Sequence, residues 1–236
     1  MRHPTAASQE FPCQTCEVRD KALCSALSDE ELRELSGITT EVSLHRSQAA
    51  FYEGDENTYL FNVVTGSLCL SKLLSDGRRQ ITGFLFPGDF LGLSVTDVYA
   101  YSAEALTEAT LCRFNRTSFL KLLDRFPKLE HRLLELASNE LVEAQTHLVM
   151  LGQKSAMERL TSTLLRLMER IGHNYEGGSM IDLPMTREDL ADYAGLTIET
   201  VSRCFSRLRK QGVILLKDKG SVLVPHPEAL ERLAGD

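Results

Sequence analysis

MTREDLADYAGLTIETVSRCFSRLRKQGVILLKDKGSVLVP, residues 185–225, is the stretch that decides the fold. Thr186 is placed to cap a helix holding Leu190, Ala191 and Tyr193, and Thr197 to cap a second that runs to Gly212. Ala191, Gly195 and Val201 fall four and then six residues apart. A small residue lets two helices approach, a glycine permits a left-handed turn, and a β-branched residue fills the angle between them. That is the pattern of a helix-turn-helix. VILLKDKGSVLVP then alternates about Asp218-Lys219-Gly220 and predicts a β-hairpin wing.

The formal net charge is −7, which argues against a nucleic-acid partner until it is resolved locally. Between Leu196 and Lys219, six cations (Arg203, Arg207, Arg209, Lys210, Lys217, Lys219) outnumber two anions (Glu199, Asp218). Exposed charges act within about 8–10 Å, so the patch matters more than the sum. Glu199, Ser202 and Arg203 stand at i, i+3 and i+4, on one face of the second helix. Arginine pairs with a guanine edge and glutamate accepts from a cytosine amine, which makes these three candidates for base contacts. Thr186, Arg187, Thr197, Arg207, Lys210 and Lys217 are candidates for phosphate, which positions without specifying.

N-terminal to this module the period is helical from residue 117. Leu134, Leu141 and Leu148 are seven apart, and Ala137, Ala144 and Leu151 repeat at an offset of three. Such a seam predicts a helix that packs on its own copy. Between Glu41 and Arg116 the texture is short apolar runs cut at Gly54-Asp55, Gly66, Asp76-Gly77 and Pro87-Gly88-Asp89, the rhythm of an antiparallel β-roll or jelly roll. The expected fold is therefore α+β. It comprises a cysteine-bearing arm over 1–27, a β-roll over 28–116, a dimerisation helix over 117–153 and a winged helix-turn-helix over 154–236.

Composition sets outer limits. The hydrophobic and charged fractions, 43% and 25%, are those of an ordinary globular chain. No apolar run approaches the roughly 18 residues a membrane span needs. The leader MRHPTAASQEF has no apolar signal core, so a cytoplasmic location is expected. His3, His45, His131, His147, His173 and His226 are scattered without a nucleophile at a recognisable spacing, so no enzyme is expected.

PCQTCEVRDKALC, residues 12–24, carries three of the six cysteines. In a reducing cytosol a disulfide staple is disfavoured. Cys13, Cys16 and Cys24 can instead serve zinc, an iron–sulfur cluster or thiol redox chemistry, and either metal centre wants a fourth ligand. Three cysteines remain for that place. Cys204 sits on the second helix of the basic module. Cys69 lies within the alternating run SLCLSKLL, where a small apolar residue is equally at home. Cys112 closes the roll just before the long helix.

DLADYAGLTIETVSRCFSRLRKQG, with the roll, long helix and wing in that order, closely resembles the Crp/Fnr family of transcription regulators over about residues 13–234. The resemblance implies a cyclic-nucleotide-binding-like roll. The Glu–x–x–Ser–Arg face resembles the Fnr branch and implies a homodimer on a TTGAT–N4–ATCAA palindrome, with Glu199, Ser202 and Arg203 on the bases. The Crp branch holds a cyclic phosphate with an arginine, whereas this chain has no Lys or Arg between Arg79 and Arg113, so no cyclic nucleotide is expected. The C–x2–C–x7–C spacing is similar to FnrN-like members. It implies a 4Fe–4S cluster on Cys13, Cys16, Cys24 and Cys112, its loss to oxygen dissolving the active dimer. Exposed roll loops are implied to meet RNA polymerase. Fnr-branch seams can carry an acid where this chain has Ala144, which predicts a stronger dimer without metal. The other readings are a FixK-type regulator without a cluster, governed by its expression or by Cys204 oxidation, and structural zinc on the same thiols.

Overall fold

The computed structural model describes residue 13, residues 15–217 and residues 220–235. Much of the arm and the Asp218-Lys219 wing tip therefore lie outside the described residues. From Cys16 the arm makes successive turns into a 3₁₀ turn, Leu23–Ala26. Helix α1 (Asp29–Gly37) follows, capped by Ser28 and Glu31 acting reciprocally.

Eight strands form the roll. They are β1 (Thr39–Leu44), β2 (Ala49–Phe51), β3 (Tyr59–Thr65), β4 (Leu68–Leu73), β5 (Arg79–Leu85), β6 (Phe90–Leu91), β7 (Ser102–Ala105) and β8 (Ala109–Asn115). Two antiparallel four-stranded sheets result, ordered β1-β8-β3-β6 and β2-β7-β4-β5. Alternation decides what each strand buries. Leu111, Val63, Leu68 and Leu70 point between the sheets. Leu60, Cys112 and Phe114 point off the back of the first sheet, and Cys69, Ile81 and Phe84 off the back of the second.

Both outer faces are covered. The first lies under Leu23 and Leu27 of the arm, Leu32 and Leu35 of α1, and the helices α2 (Arg116–Arg125) and α3 (Pro127–Gln153). The second lies under the C-terminal module, whose α4 (Ala156–Ile171), α5 (Arg187–Ala194) and α6 (Ile198–Lys210) share one apolar cluster with it.

Three features depart from the sequence reading. The helical stretch 117–153 is two helices, because Pro127 opens α3 and holds Phe126 out of helical geometry at φ −121°, ψ 85°. Strands β9 (His173–Tyr175) and β10 (Gly178–Asp182) form a hairpin across Glu176-Gly177, where HNYEGGSMIDLP reads as a loop leading into a single short strand. With β11 (Leu215–Leu216) and β12 (Ser221–Val224) they build a four-stranded wing sheet. Helix α7 (Pro227–Ala234), unread in the sequence, packs on α4, and Thr161 donates to the Leu233 carbonyl. Among the described residues no helix is long and apolar enough to cross a membrane.

Gly66 and Gly77 separate two costs of adding a side chain. Both have positive φ, +80° and +86°, but a Cβ on Gly66 would meet the Glu108 carbonyl at 2.3 Å, whereas one on Gly77 meets open space. Gly77→Ala is expected to cost about 1–2 kcal/mol from conformation alone, and Gly66→Ala clearly more. Urea midpoints measure both, and equal midpoints would contradict the packing described.

Candidate functional site

The helix-turn-helix is built as its local chemistry requires. Thr186 and Asp189 form a reciprocal capping box on α5, and Gly195 ends that helix in the left-handed region at φ 61°, ψ 44°. Thr197 opens α6 by accepting from the Thr200 N–H. Val201, Cys204, Phe205 and Leu208 form the inner face of α6. Glu199, Ser202, Arg203, Arg207 and Lys210 stand on its outer face, exposed. The Glu199 carboxyl is held below its ordinary range by its own backbone N–H, then by Thr197 and the Arg203 charge, and so remains an acceptor. Arg203 leans on the Thr200 hydroxyl at 3.0 Å while its side chain stays in solvent.

The candidates for phosphate divide by placement. Arg207, Lys210 and Lys217 are exposed, as is Arg209, which periodicity alone did not single out. Thr186 and Thr197 are exposed but also serve as caps. Arg187 differs. Its guanidinium lies 3.1 Å from the Phe205 ring centroid, and burial lowers its pKa to about 10. Cation–π packing on the recognition helix is therefore its first role here.

Along α3 the expected seam is bare in the single chain. Leu134, Leu141 and Leu148 are 63%, 59% and 69% exposed, and Val142 and Val149 extend the apolar stripe. Ala144 is exposed between them, and Ala137 and Leu151 are half-covered. The opposite face buries Leu129, Leu133, His147 and Met150.

The cysteines separate cleanly. Cys13, Cys24 and Cys112 pack against one apolar cluster. Cys112 pairs across β8 with Glu41 and Asn62. Burial first, then the charges of Cys13, Cys16 and Cys24, pushes its thiol up to about 12. Burial, then Cys16 and Cys13, pushes Cys24 up to about 11, and burial raises Cys13 as well. The charges of the arm thiols thus bear on Cys112 and on one another. Among the described residues, however, no three Cys, His, Asp or Glu side chains are gathered as ligands of a single ion. Cys69 belongs to the other apolar cluster, behind the second sheet, where burial pushes it up to about 12. Cys204 is buried on the inner face of α6, and its thiol too is raised by burial.

Comparison with known proteins agrees with this geometry. Residues 158–233 match the Crp-like helix-turn-helix domain, and residues 41–126 match the cyclic nucleotide-binding domain. The nitrogen fixation regulation protein FixK of Bradyrhizobium diazoefficiens is 41% identical over 222 residues, spanning 94% of this chain and 93% of that protein. The transcriptional activator protein FnrL of Cereibacter sphaeroides is 37% identical over 228 residues, spanning 95% and 92%. The chain belongs to the Crp/Fnr family. The solved structure of FixK2 from Bradyrhizobium japonicum, 35% identical, superposes with a TM-score of 0.78 over 83% of this chain and 97% of that one.

Like its Crp/Fnr relatives, the protein is a DNA-binding transcription regulator rather than an enzyme. The family's roll is named for cyclic nucleotides, and a cavity of about 660 Å³ does lie between roll, α3 and α4. The arginines lining it, Arg166 and Arg170, come from α4 and are already paired with Glu143 and Asp89. A phosphate entering there would have to displace a carboxylate from one of them.

Substitutions on α6 should separate base reading from phosphate holding. Arg203→Ala is expected to cost about 1–3 kcal/mol on the preferred sequence and to relax discrimination at one base pair. Arg207→Ala should weaken all sequences alike and reduce the slope of log affinity against log salt by about 1. Fluorescence anisotropy across a salt series measures both, and equal losses on specific and random duplex for Arg203→Ala would remove it from the bases.

Proposed function

We propose that this Crp/Fnr regulator is oxygen-responsive, with Cys13, Cys16, Cys24 and Cys112 as the four ligands of a 4Fe–4S cluster. The observation that carries the reading is the placement of Cys112. It lies on the outer face of the roll with Cys13 and Cys24, in an apolar cluster that also contains Leu129 and Leu133 from the first turns of α3. The donor set fits in kind, because four cysteine thiolates are what such a cluster takes. A single zinc ion would instead need its four sulfurs drawn to about 2.3 Å from one point. When bound, the cluster would supply an oxygen-labile tie between the arm and β8.

The chain's own residues do the rest. Leu23 and Leu27 seat the arm, and Arg132 of α3 donates to the Lys21 carbonyl at 3.4 Å, so the arm meets the start of the dimer helix directly. Raised thiols favour the protonated state until a metal takes them, so loading releases protons and weakens as pH falls. The bare α3 stripe then pairs with its copy. The two α6 helices enter successive major grooves about 34 Å apart on a TTGAT–N4–ATCAA palindrome, read by Glu199, Ser202 and Arg203. Exposed roll loops meet RNA polymerase, and cyclic nucleotide plays no part. Burial of Cys204 weighs against a regulator governed by its oxidation.

Two measurements test the reading. Anaerobically purified protein should bind palindromic duplex, and air should weaken that binding about tenfold or more. Cys112→Ser should bind weakly in either atmosphere, while Cys204→Ser keeps the response; the reverse result would favour oxidation of Cys204. On the seam, the metal-free wild type should sediment partly as dimer at micromolar concentration. Ala144→Asp, which sets two carboxylates face to face, should sediment as monomer, and a wild type that is wholly monomeric would reject the seam argument.

A further inference from the structure

Helix α5 is held by contacts from three elements outside the helix-turn-helix. At the start of β5, Arg79 Nη2 donates to Asp189 Oδ1 at 2.5 Å and Nε donates to Asp192 Oδ2 at 2.7 Å. Gln80 donates to the Asp192 carbonyl at 2.6 Å and to the Tyr193 carbonyl at 3.3 Å. From α3, His147 Nε2 meets the Tyr193 carbonyl at 2.9 Å, and its ring stacks on Tyr193 at 4.1 Å. From α4, Arg159 donates to the Ala194 and Gly195 carbonyls, each at 3.3 Å, and so fixes the turn itself.

Docking gives the paired acids of α5 a shared partner. Asp189 and Asp192 stand at i and i+3, where like charges repel. Asp189 is 6% exposed and is also the capping residue that accepts from the Thr186 N–H and hydroxyl. One guanidinium from the roll bridges both carboxylates and offsets much of their repulsion. Removing one partner of such a buried pair leaves an uncompensated charge. The same first turn also carries Arg187, stacked on Phe205 of α6. A connected path therefore runs from Arg79 through Asp189 and Arg187 to the recognition helix, while the outer face of α6 stays exposed.

We propose that Arg79 is a positioning residue for DNA recognition: its fork onto Asp189 and Asp192 locks the helix-turn-helix against the sensor roll in the orientation that reads DNA. Two recognition helices must meet grooves about 34 Å apart, so a small rotation at α5 misplaces base contacts on both half-sites. This inference rests on DNA binding as a dimer and stands whether or not the thiols carry a cluster.

Full-length protein carrying Arg79→Ala is compared with Asp192→Asn, which leaves the Asp189 cap intact, and with the double variant. Each is first checked for thermal stability and sedimentation, and active fraction is fixed by stoichiometric titration of duplex. Specific affinity should fall about ten- to a hundredfold for Arg79→Ala, and in the same direction for Asp192→Asn. The double variant should be no weaker than the worse single, because the two act as one unit. The slope of log affinity against log salt should not change, because Arg79 holds no phosphate. If Arg79→Ala fails to fold, Asp192→Asn alone decides, by loss of specific affinity at unchanged slope. Unchanged affinity, additive losses or a reduced salt slope would overturn the proposal. Tighter binding would overturn it too, since the fork would then be a brake.

Discussion

Each sheet of the roll turns one face away from the roll's own interior, and both of those faces are apolar. Leu60, Phe114 and Cys112 would meet water on one side, and Cys69, Ile81 and Phe84 on the other. Burying such side chains stabilises by roughly 1.5–3 kcal/mol each, so neither face can stay open. The arm with α1, α2 and the start of α3 closes the first, and the DNA-reading module closes the second. The arm and the DNA-reading module are thus attached to opposite backs of one roll. That covering sets Cys112 in the same apolar cluster as the start of α3 and gives the roll a hold on α5.

The two attachments differ in kind. On the reading side the closure is a shared apolar cluster reinforced by an ion fork, Arg79 with Asp189 and Asp192, and by Gln80 and His147 on the carbonyls of α5. Burial works against the Arg79 charge, but the hydrogen bonds of Asp192 and Asp189 outweigh it and hold its pKa above the ordinary value. On the arm side the closure rests on Val18, Ala22, Leu23 and Leu27 as buried apolar anchors. Ordering each residue costs about 1–2 kcal/mol of backbone entropy, so under the proposed function a metal centre would add ordering energy to a sparsely anchored segment.

What the sequence disclosed is local. Thr186 and Thr197 cap where short-range chemistry demands it, and Gly195 makes the left-handed turn between them. The apolar heptad stripe on α3 was legible, but a helix buried in its own domain would show the same period, and only the structure leaves Leu134, Leu141 and Leu148 exposed. Pairings across more than a hundred residues were not legible. Nothing local marks Arg79 before folding sets it on α5, and Arg187 reads as a phosphate ligand until Phe205 lies beneath it. Cys112 falls between. Alternation with Leu111 puts it on the other face of β8, but which face is the roll's interior depends on the second sheet. The break at Pro127 follows from proline chemistry, yet the heptad rhythm downstream concealed it.

The central claim is that four thiols on one back of the roll hold a single inorganic centre. Iron and acid-labile sulfide analysis, with Mössbauer spectroscopy of the full-length chain purified without oxygen, tests it most directly. The account predicts brown protein with about four irons and matching sulfide per chain. Colourless protein that still binds its palindrome, or one zinc per chain in place of iron, would contradict it.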